Sequence, residues 1–128
     1  MVNLRPDLTG KTILIVEDNE ISRFYFEAAV QKLNATTIWA KNGVEGVELF
    51  RLNKQIDLVL MDLNMPEMDG FEATKILKSM RPEIPVIVQS AYILSGEENR
   101  SFEAGCDEFL SKPIRLNMLI EAIVRHLK

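Results

Sequence analysis

The stretch DLVLMDLNMPEMDG, residues 57–70, contains an apolar run that ends abruptly on a carboxylate. The run from Leu58 to Met61 is uninterrupted, which is typical of a strand that is covered on both faces. Asp62 stands where this strand should end, and Pro66 soon follows it and disfavours a helix at that point. The carboxylate at the end of a core strand is therefore the first candidate for a functional group.

Five short apolar segments occur along the chain, and three of them are nearly continuous rather than alternating. They are TILIVE (12–17), TTIWA (36–40), DLVLMD (57–62), PVIVQSA (85–91) and DEFLS (107–111). Segments with the spacing of amphipathic helices lie between and after them. This alternation predicts an α/β fold, namely a doubly wound five-stranded parallel sheet with helices on both faces, (βα)5.

The helical segments carry predictions about faces and ends. The apolar faces are expected to comprise Ile21, Phe24, Ala28 and Leu33 in the first helix, Val44, Val47, Leu49 and Phe50 in the second, and Leu116, Leu119, Ile120, Ile123 and Leu127 in the last. Asn42-Gly43 should open the second helix, while Ser95 should cap the fourth and Gly105 should close it. Lys75, Lys78 and Arg81 are expected to form a solvated face.

The totals favour one globular domain in a reducing compartment. The chain has 128 residues with 47% hydrophobic and 27% charged residues, and residues 1–10 are expected to be a lead-in to a domain at 11–128. The net charge of −4 argues against direct nucleic-acid binding, and the single cysteine, Cys106, cannot form an internal disulfide. Because no apolar run is long enough to cross a bilayer, we expect a cytoplasmic domain without direct membrane insertion, whether or not a parent chain is membrane-tethered.

Three carboxylates should meet at one edge of the predicted sheet. Glu17 and Asp18 end the first strand and Asp62 ends the third, and ligands of such sheets bind at the carboxyl ends of the strands. Two unit charges about 4 Å apart repel by about 4 kcal/mol at an effective dielectric constant near 20, so a cation should sit among them. Oxygen ligands alone suit Mg²⁺. The alternative is that Glu17 and Asp18 only cap the helix that begins near Glu20.

Two further side chains follow strand ends. Ser90 ends the fourth strand and offers a hydroxyl group, although a serine in this position is more commonly a turn residue. Lys112 ends the fifth strand before Pro113, where an isolated lysine would be solvated. A lysine that points into a carboxylate cluster would instead neutralise it and pair with phosphate. Either isomer of the Lys112-Pro113 bond is compatible with the sequence.

Taken together, these motifs resemble the receiver domain of two-component response regulators. The resemblance rests on Glu17-Asp18, MDLNMPEMDG, QSA and FLSKP in this order, and it covers nearly the whole chain. VEDNEISR and AGCDEFLSKPI are similar to receivers of hybrid sensor histidine kinases and phosphorelay proteins. The resemblance implies a flavodoxin-like fold and a phosphoacceptor signalling domain that is not an enzyme with an external product.

The resemblance also implies a role for each matching residue. Asp62 would accept a phosphoryl group from the phosphohistidine of a histidine kinase or histidine phosphotransfer domain, and the partner-binding surface would then switch. The implied Mg²⁺ ligands, for which Mn²⁺ could substitute, are Asp18 and Asp62 directly, Glu17 through water, and the backbone carbonyl of Asn64. Ser90 and Lys112 would hold phosphoryl oxygens, and Ser90 and Phe109 would form the switch.

Phe109 replaces the tyrosine that is frequent at its position, so any switch must rest on packing alone. Tyr92 is hypothesised to limit water access to the site, and the surface near Ile93-Leu94 and the last helix is expected to contact a downstream partner. His126 is expected to be a surface histidine rather than a phosphohistidine. Cys106 is expected to be a small buried residue, and Trp39 is expected to serve packing.

Two other classes of protein share part of this pattern. An Asp-nucleophile phosphatase similar to the haloacid-dehalogenase group would carry its D-x-D pair on the first strand, whereas Asp62-Leu63-Asn64 follows the third and lacks the second aspartate. A flavodoxin-like flavin binder would need a phosphate-cradling loop after the first strand, and EDNEIS is acidic there. The sequence leaves open whether the chain is a stand-alone receiver or part of a hybrid kinase.

Overall fold

A computed structural model describes residues 6–63, 68–90 and 96–127, and five strands alternate with five helices in it. The elements are β1 (Thr12–Val16), α1 (Glu20–Lys32), β2 (Thr36–Ala40), α2 (Gly43–Leu52), β3 (Ile56–Asp62), α3 (Gly70–Met80), β4 (Val86–Ser90), α4 (Glu97–Glu103), β5 (Glu108–Ser111) and α5 (Leu116–Leu127). Their order is the predicted one.

The strands form one parallel sheet in the order β2-β1-β3-β4-β5. The chain moves from β1 to one edge and then returns to build the other side, so the strand order reverses between β1 and β3. This confirms the predicted doubly wound fold, and it places the ends of β1 and β3 side by side at the switch point where such sheets bind ligands.

Each face of the sheet has its own core. Alternate residues of the strands point to opposite faces, so Ile15, Leu60 and Ile87 pack with residues of α1 and α5. Val16, Met61 and Val88 pack on the other face with residues of α2 and α3. Burial on both faces explains why the strand segments are continuous apolar runs rather than alternating ones.

The predicted apolar face of α1 is wrong. Ile21 and Phe24 are 81% and 59% exposed, whereas Phe26, Ala29 and Val30 are buried against the sheet. The prediction and the structure share only Leu33, which follows the helix and is buried. Both sets of residues have helical spacing, so periodicity alone could not choose between them. The exposed apolar side chains of α1 therefore need another explanation.

The predicted apolar faces of α2 and α5 agree better with the structure. The predicted residues of α5 all belong to the core beneath α1 and α5 or pack against it. Of the residues predicted for α2, only Val44 is exposed, at 49%.

Side chains fix the starts of three helices. Asn19 accepts hydrogen bonds from the backbone N–H groups of Ile21 and Ser22, Asn42 accepts one from Glu45, and Asp69 accepts one from Glu72. The predicted start of α2 is thus confirmed. The N-cap position of α4 is Gly96, and the predicted cap Ser95 lies outside the described residues. Gly105 has φ +104° directly after the last residues of α4, as expected of a closing glycine.

The basic residues of α3 do not form a solvated face. Lys78 Nζ donates to the carbonyl oxygens of Pro82 and Ile84 at 2.9 Å and to Asp107 Oδ2 at 2.8 Å. Arg81 donates to the carbonyl of Phe50 and lies 3.9 Å from the centre of its ring. Both cations satisfy backbone carbonyl groups where chain segments meet. Of the three, only Lys75 is exposed.

Within the described ranges, no helix is both long and apolar enough to cross a membrane.

Candidate functional site

The predicted acidic cluster is present at the carboxyl edge of the sheet. Glu17, Asp18 and Asp62 each offer a carboxylate oxygen, and these oxygens all lie within 4.8 Å of one another. Glu17 and Asp62 are 1% and 3% exposed, whereas Asp18 faces solvent. Two members of the cluster are thus buried, and the third is accessible from solvent.

Lys112 reaches this cluster from the end of β5. Its Nζ atom lies 3.3 Å from Glu17 Oε1 and 3.8 Å from Asp62 Oδ1. The Lys112-Pro113 peptide bond is cis. The ammonium group is thus the positive counterpart of two buried carboxylates, and the alternative of a solvated lysine does not describe it.

Burial dominates the acid–base behaviour of Glu17. Loss of solvent, followed by repulsion from Asp62 and a hydrogen bond with that carboxyl group, raises the pKa of Glu17 from 4.5 to about 8. The charge of Lys112 and the Asn19 N–H act in the opposite direction but do not compensate. Without a further cation, the cluster therefore keeps a proton near neutral pH.

Glycine in the opening stretch permits a close approach of backbone to Asp62. A Cβ atom on Gly70 would lie 2.5 Å from the carbonyl oxygen of Asp62 and 2.7 Å from Leu63 Cα. Any larger residue would have to displace the backbone that carries the carboxylate. The Asp69-Gly70 pair thus both caps α3 and allows it to start directly against the end of β3. Asn64, with Met65 and Pro66, lies outside the described residues.

Ser90 and Phe109 occupy the neighbouring strands β4 and β5. Ser90 is fully buried, and its Oγ donates a hydrogen bond to Glu97 Oε1 at 2.8 Å. Phe109 is half-buried, packs on the α2–α3 side of the sheet, and pairs in register with Val88. The structure therefore places both predicted switch residues near the edge that carries Asp62, while Tyr92, Ile93 and Leu94 lie outside the described ranges.

Sequence reasoning missed several contacts around the cluster. Trp39 does more than pack, because its Nε1 donates to the carbonyl oxygen of Glu17 at 2.8 Å and the Arg23 guanidinium carbon lies 3.7 Å from the centre of its indole ring. The sequence predicted no role at the site for Glu97 or for Gln89. The signal for Gln89 was present, since it is an amide inside an apolar strand.

Two residues set aside by sequence reasoning lie away from the cluster. Cys106 is buried as predicted, and burial raises the pKa of its thiol to about 12, so little thiolate forms near neutral pH. His126 is half-buried rather than a free surface residue, and its Nε2 lies 2.8 Å from Glu108 Oε1.

The donor set fits a hard divalent cation. It consists of carboxylate oxygens only, gathered closely enough for one ion, with one exposed member that leaves room for water ligands. Mg²⁺ binds proteins in this way, through few carboxylates and several waters. The pKa of Glu17, raised first by burial and then by repulsion from Asp62, is compatible with a cation site, because a bound cation would relieve that repulsion.

A doubly wound parallel sheet that carries an acidic cluster and a lysine at its switch point is the arrangement of phosphoacceptor domains in signal transduction. The sequence pattern of the family described as response regulator receiver domain matches residues 13–124. The chain belongs to this family and is thus a receiver domain of two-component signal transduction, not a conventional enzyme.

Known proteins agree with this assignment over nearly the full chain. The polar-differentiation response regulator DivK of Brucella anthropi is 39% identical over 120 residues, which cover 91% of this chain and 96% of that protein. The crystal structure of a CheY-like receiver domain protein from Methanospirillum hungatei has a TM-score of 0.86 at 26% identity, and covers 91% of this chain and 93% of that one.

One similar structure holds a metal ion. The receiver domain of a sensor histidine kinase from Pseudomonas aeruginosa has a TM-score of 0.82 at 27% identity, and covers 93% of this chain and 98% of that one. That crystal structure has a magnesium ion coordinated in its active site cleft. The receiver domain of a sensor histidine kinase is therefore among the structures that this chain resembles.

The pKa of Glu17 makes stability depend on pH when divalent cations are chelated. Between pH 4.5 and about 8 the folded protein holds a proton that the unfolded chain has lost, so the free energy of unfolding should fall as pH rises through this window. One pKa unit is worth about 1.4 kcal/mol, so we expect a loss on the order of 4 kcal/mol across three pH units. Urea unfolding in EDTA between pH 5 and 8 measures it.

Glu17→Gln should flatten this dependence, since the amide does not titrate. The exposed Glu83→Gln variant is the matched control and should keep the slope of the parent protein. A parent protein whose stability rises across the window would contradict the raised pKa.

Proposed function

We propose that Asp62 is the phosphoacceptor and that it takes a phosphoryl group from a phosphohistidine of a histidine kinase or histidine phosphotransfer domain. The observation that carries this proposal is the buried Asp62 carboxylate with the Lys112 ammonium group 3.8 Å away, at the carboxyl edge of a receiver sheet. Family membership supplies the reaction class, and the geometry of this chain supports the choice of Asp62.

The transfer follows from ordinary phosphoryl chemistry. A carboxylate oxygen of Asp62 attacks phosphorus, the P–N bond of the donor breaks, and its electron pair returns to the imidazole ring. The product is an acyl phosphate whose equatorial oxygens carry negative charge that must be neutralised. Lys112 moves only a short distance from Asp62 to pair with one of these oxygens, and Ser90 donates its hydroxyl hydrogen to another.

The same edge would hold Mg²⁺, with Mn²⁺ as a substitute. Asp18 and Asp62 would ligate the ion directly, Glu17 would do so through water, and Asn64 would contribute its backbone carbonyl. Mg²⁺ would neutralise charge on the phosphoryl oxygens. The close approach of the Glu17, Asp18 and Asp62 oxygens supports this assignment for the three side chains.

Labelling at Asp62 tests the central claim. Incubation with Mg²⁺ and acetyl phosphate should add one phosphoryl group that base removes, and intact-mass spectrometry detects it. Asp62→Asn should abolish labelling, because an amide is not a competent nucleophile.

The matched control is Asp69→Asn, which changes an aspartate of the same stretch but keeps a good helix cap. It should label like the parent protein. Labelling that survives Asp62→Asn would contradict the proposal.

The hydrogen bond from Ser90 to Glu97 suggests how phosphorylation of Asp62 would change the contacts of α4. A serine hydroxyl has one hydrogen, and Ser90 gives it to Glu97 in the first turn of that helix. Donation to a phosphoryl oxygen would withdraw it from Glu97. Phosphorylation would then free the start of α4, while Phe109 on β5 would respond through packing alone.

Glu97→Ala should therefore favour the phosphorylated state, because it removes the carboxylate that competes for the Ser90 hydrogen. A hydrogen bond to a charged group contributes about 1.5–3 kcal/mol, and partial exposure of Glu97 reduces this, so we expect a lifetime longer by about 3–10-fold. Loss of the phosphoryl group after removal of the donor measures it. The exposed Glu98→Ala should leave the lifetime unchanged, and a shorter lifetime in Glu97→Ala would count against the competition.

The exposed apolar residues of α1 lie where a protein donor would dock. A hollow of about 530 Å³ beside the cluster is lined by Ile21, Tyr25 and Pro113 among others, and Lys112 is part of its wall. A phosphohistidine must come within bonding distance of Asp62, so the donor surface must cover this rim. Apolar contacts there would explain why Ile21 is 81% exposed rather than buried.

Ile21→Ala separates donor docking from chemistry. Transfer from a phosphorylated histidine phosphotransfer protein should slow by about fivefold, since truncation of a buried aliphatic contact costs about 1 kcal/mol. Labelling by acetyl phosphate should not change. Leu52→Ala truncates another exposed aliphatic residue, at the far end of α2, and should alter neither rate. Equal slowing with both donors would contradict a docking role.

A further inference from the structure

Gln89 is a polar side chain sealed in the core beside the site. It is 0% exposed in β4, between apolar residues and Ser90. Across the part of the chain that the structure describes, neither its Oε1 nor its Nε2 has a hydrogen-bond partner. Buried amides are nearly always paired, and an orphaned pair of atoms is destabilising for the state that contains it. The fold therefore tolerates a cost here that an aliphatic residue would avoid.

The sheet places Gln89 next to Asp62. The two residues are register partners on adjacent strands, where strand axes are about 4.8 Å apart. Alternation puts Gln89 on the same face as Ile87, and Asp62 on the same face as Leu60, and both of these belong to the core beneath α1 and α5. The amide and the carboxylate thus lie side by side on one face of the sheet.

Lys112 must pass over Gln89 to reach its partners. It follows β5, whereas Asp62 ends β3, and β4 lies between these strands. Its ammonium group nevertheless lies 3.8 Å from Asp62 and 3.3 Å from Glu17. Gln89, at the level of Asp62 on the intervening strand, is therefore flanked by a potential donor for its Oε1 and a potential acceptor for its Nε2.

We propose that Gln89 is a positioning residue for phosphorylation, whose amide gains its partners only when Asp62 carries a phosphoryl group. The inference rests on the proposed role of Asp62. A phosphoryl group draws Lys112 away from the carboxylates. Gln89 Oε1 then accepts a hydrogen bond from the ammonium group in its new position, and Nε2 donates to the Asp62 side-chain oxygen that Lys112 has left.

This exchange gives the orphaned amide an energetic role. The cost of two unpaired buried atoms falls on the unphosphorylated state alone, so it shifts the equilibrium towards the phosphorylated one. A Gln89 that serves only packing would have no such effect. The two readings differ in a measurable way, since removal of the amide should stabilise the resting protein while weakening its phosphorylated form.

Gln89→Met removes both polar atoms and keeps the length of the side chain. The melting temperature of the unphosphorylated protein should rise by about 3–6 °C, because an unpaired buried amide is lost. The lifetime of the phosphorylated protein should fall by about fivefold. A matched control is Ile87→Val on the same strand and face, which should lower the melting temperature and leave the lifetime unchanged.

Two results would overturn the proposal. An unchanged lifetime in Gln89→Met would show that the amide does not act on phosphorylation, and a lower melting temperature would show that it is already paired at rest. Labelling of the parent protein at Asp62 separates these failures from a failure of the proposed function, which would appear as no labelling at all.

Side-chain amide NMR of the parent protein tests the same point without a core substitution. Addition of Mg²⁺ and beryllium fluoride, a phosphoryl mimic, should shift the Gln89 NH₂ resonances downfield and slow their exchange with solvent. The exposed amides of Gln31 and Gln55 serve as internal references and should not move. Gln89 resonances that stay in place while the mimic binds would overturn the proposal.

Discussion

The Lys112 ammonium group between two buried carboxylates is the interaction on which the edge of this sheet depends. Glu17 follows β1 and Asp62 ends the adjacent strand β3, and both are removed from water, which alone would disfavour two charges so close together. One lysine offsets this only in part, as the raised pKa of Glu17 shows. The site is therefore short of positive charge at rest, and this shortage is what prepares it for a divalent cation.

Backbone proximity is the second constraint. Gly70 lets α3 begin against the carbonyl group of Asp62, and Gly43 lets α2 begin where a Cβ atom would lie 2.6 Å from the carbonyl oxygen of Met68. Close packing at these helix starts holds the ends of the central strands in place. Asp62 is thus positioned by a strand rather than by the loop that follows it, and Glu17 and Asp18 lie in the short segment that joins β1 to α1.

The sequence predicted the fold and the principal site because both rest on local patterns. Continuous apolar runs mark strands covered on both faces, and a charged residue at the end of such a run is visible without any structure. The buried face of α1 could not be predicted in this way, since two sets of residues have helical spacing. The contact of Trp39 with the Glu17 carbonyl depends on strand order, and the contact of Ser90 with Glu97 depends on the path of the chain between β4 and α4, so neither leaves a mark in the spacing.

A receiver domain must convert the added charge of a phosphoryl group into a structural change away from the site, and the hydrogen bonds and ion pairs around Asp62 suggest how. In the unphosphorylated structure Ser90 donates a hydrogen bond to Glu97, and Lys112 forms ion pairs with Glu17 and Asp62. The Gln89 amide atoms have no partner among the described residues. A phosphoryl group on Asp62 would compete for Ser90 and Lys112 at once. A hydroxyl group has one hydrogen to donate, so Ser90 cannot bond Glu97 and a phosphoryl oxygen at once, and the same phosphoryl group would also draw Lys112. Such linked exchange is a physical basis for two discrete states of one domain.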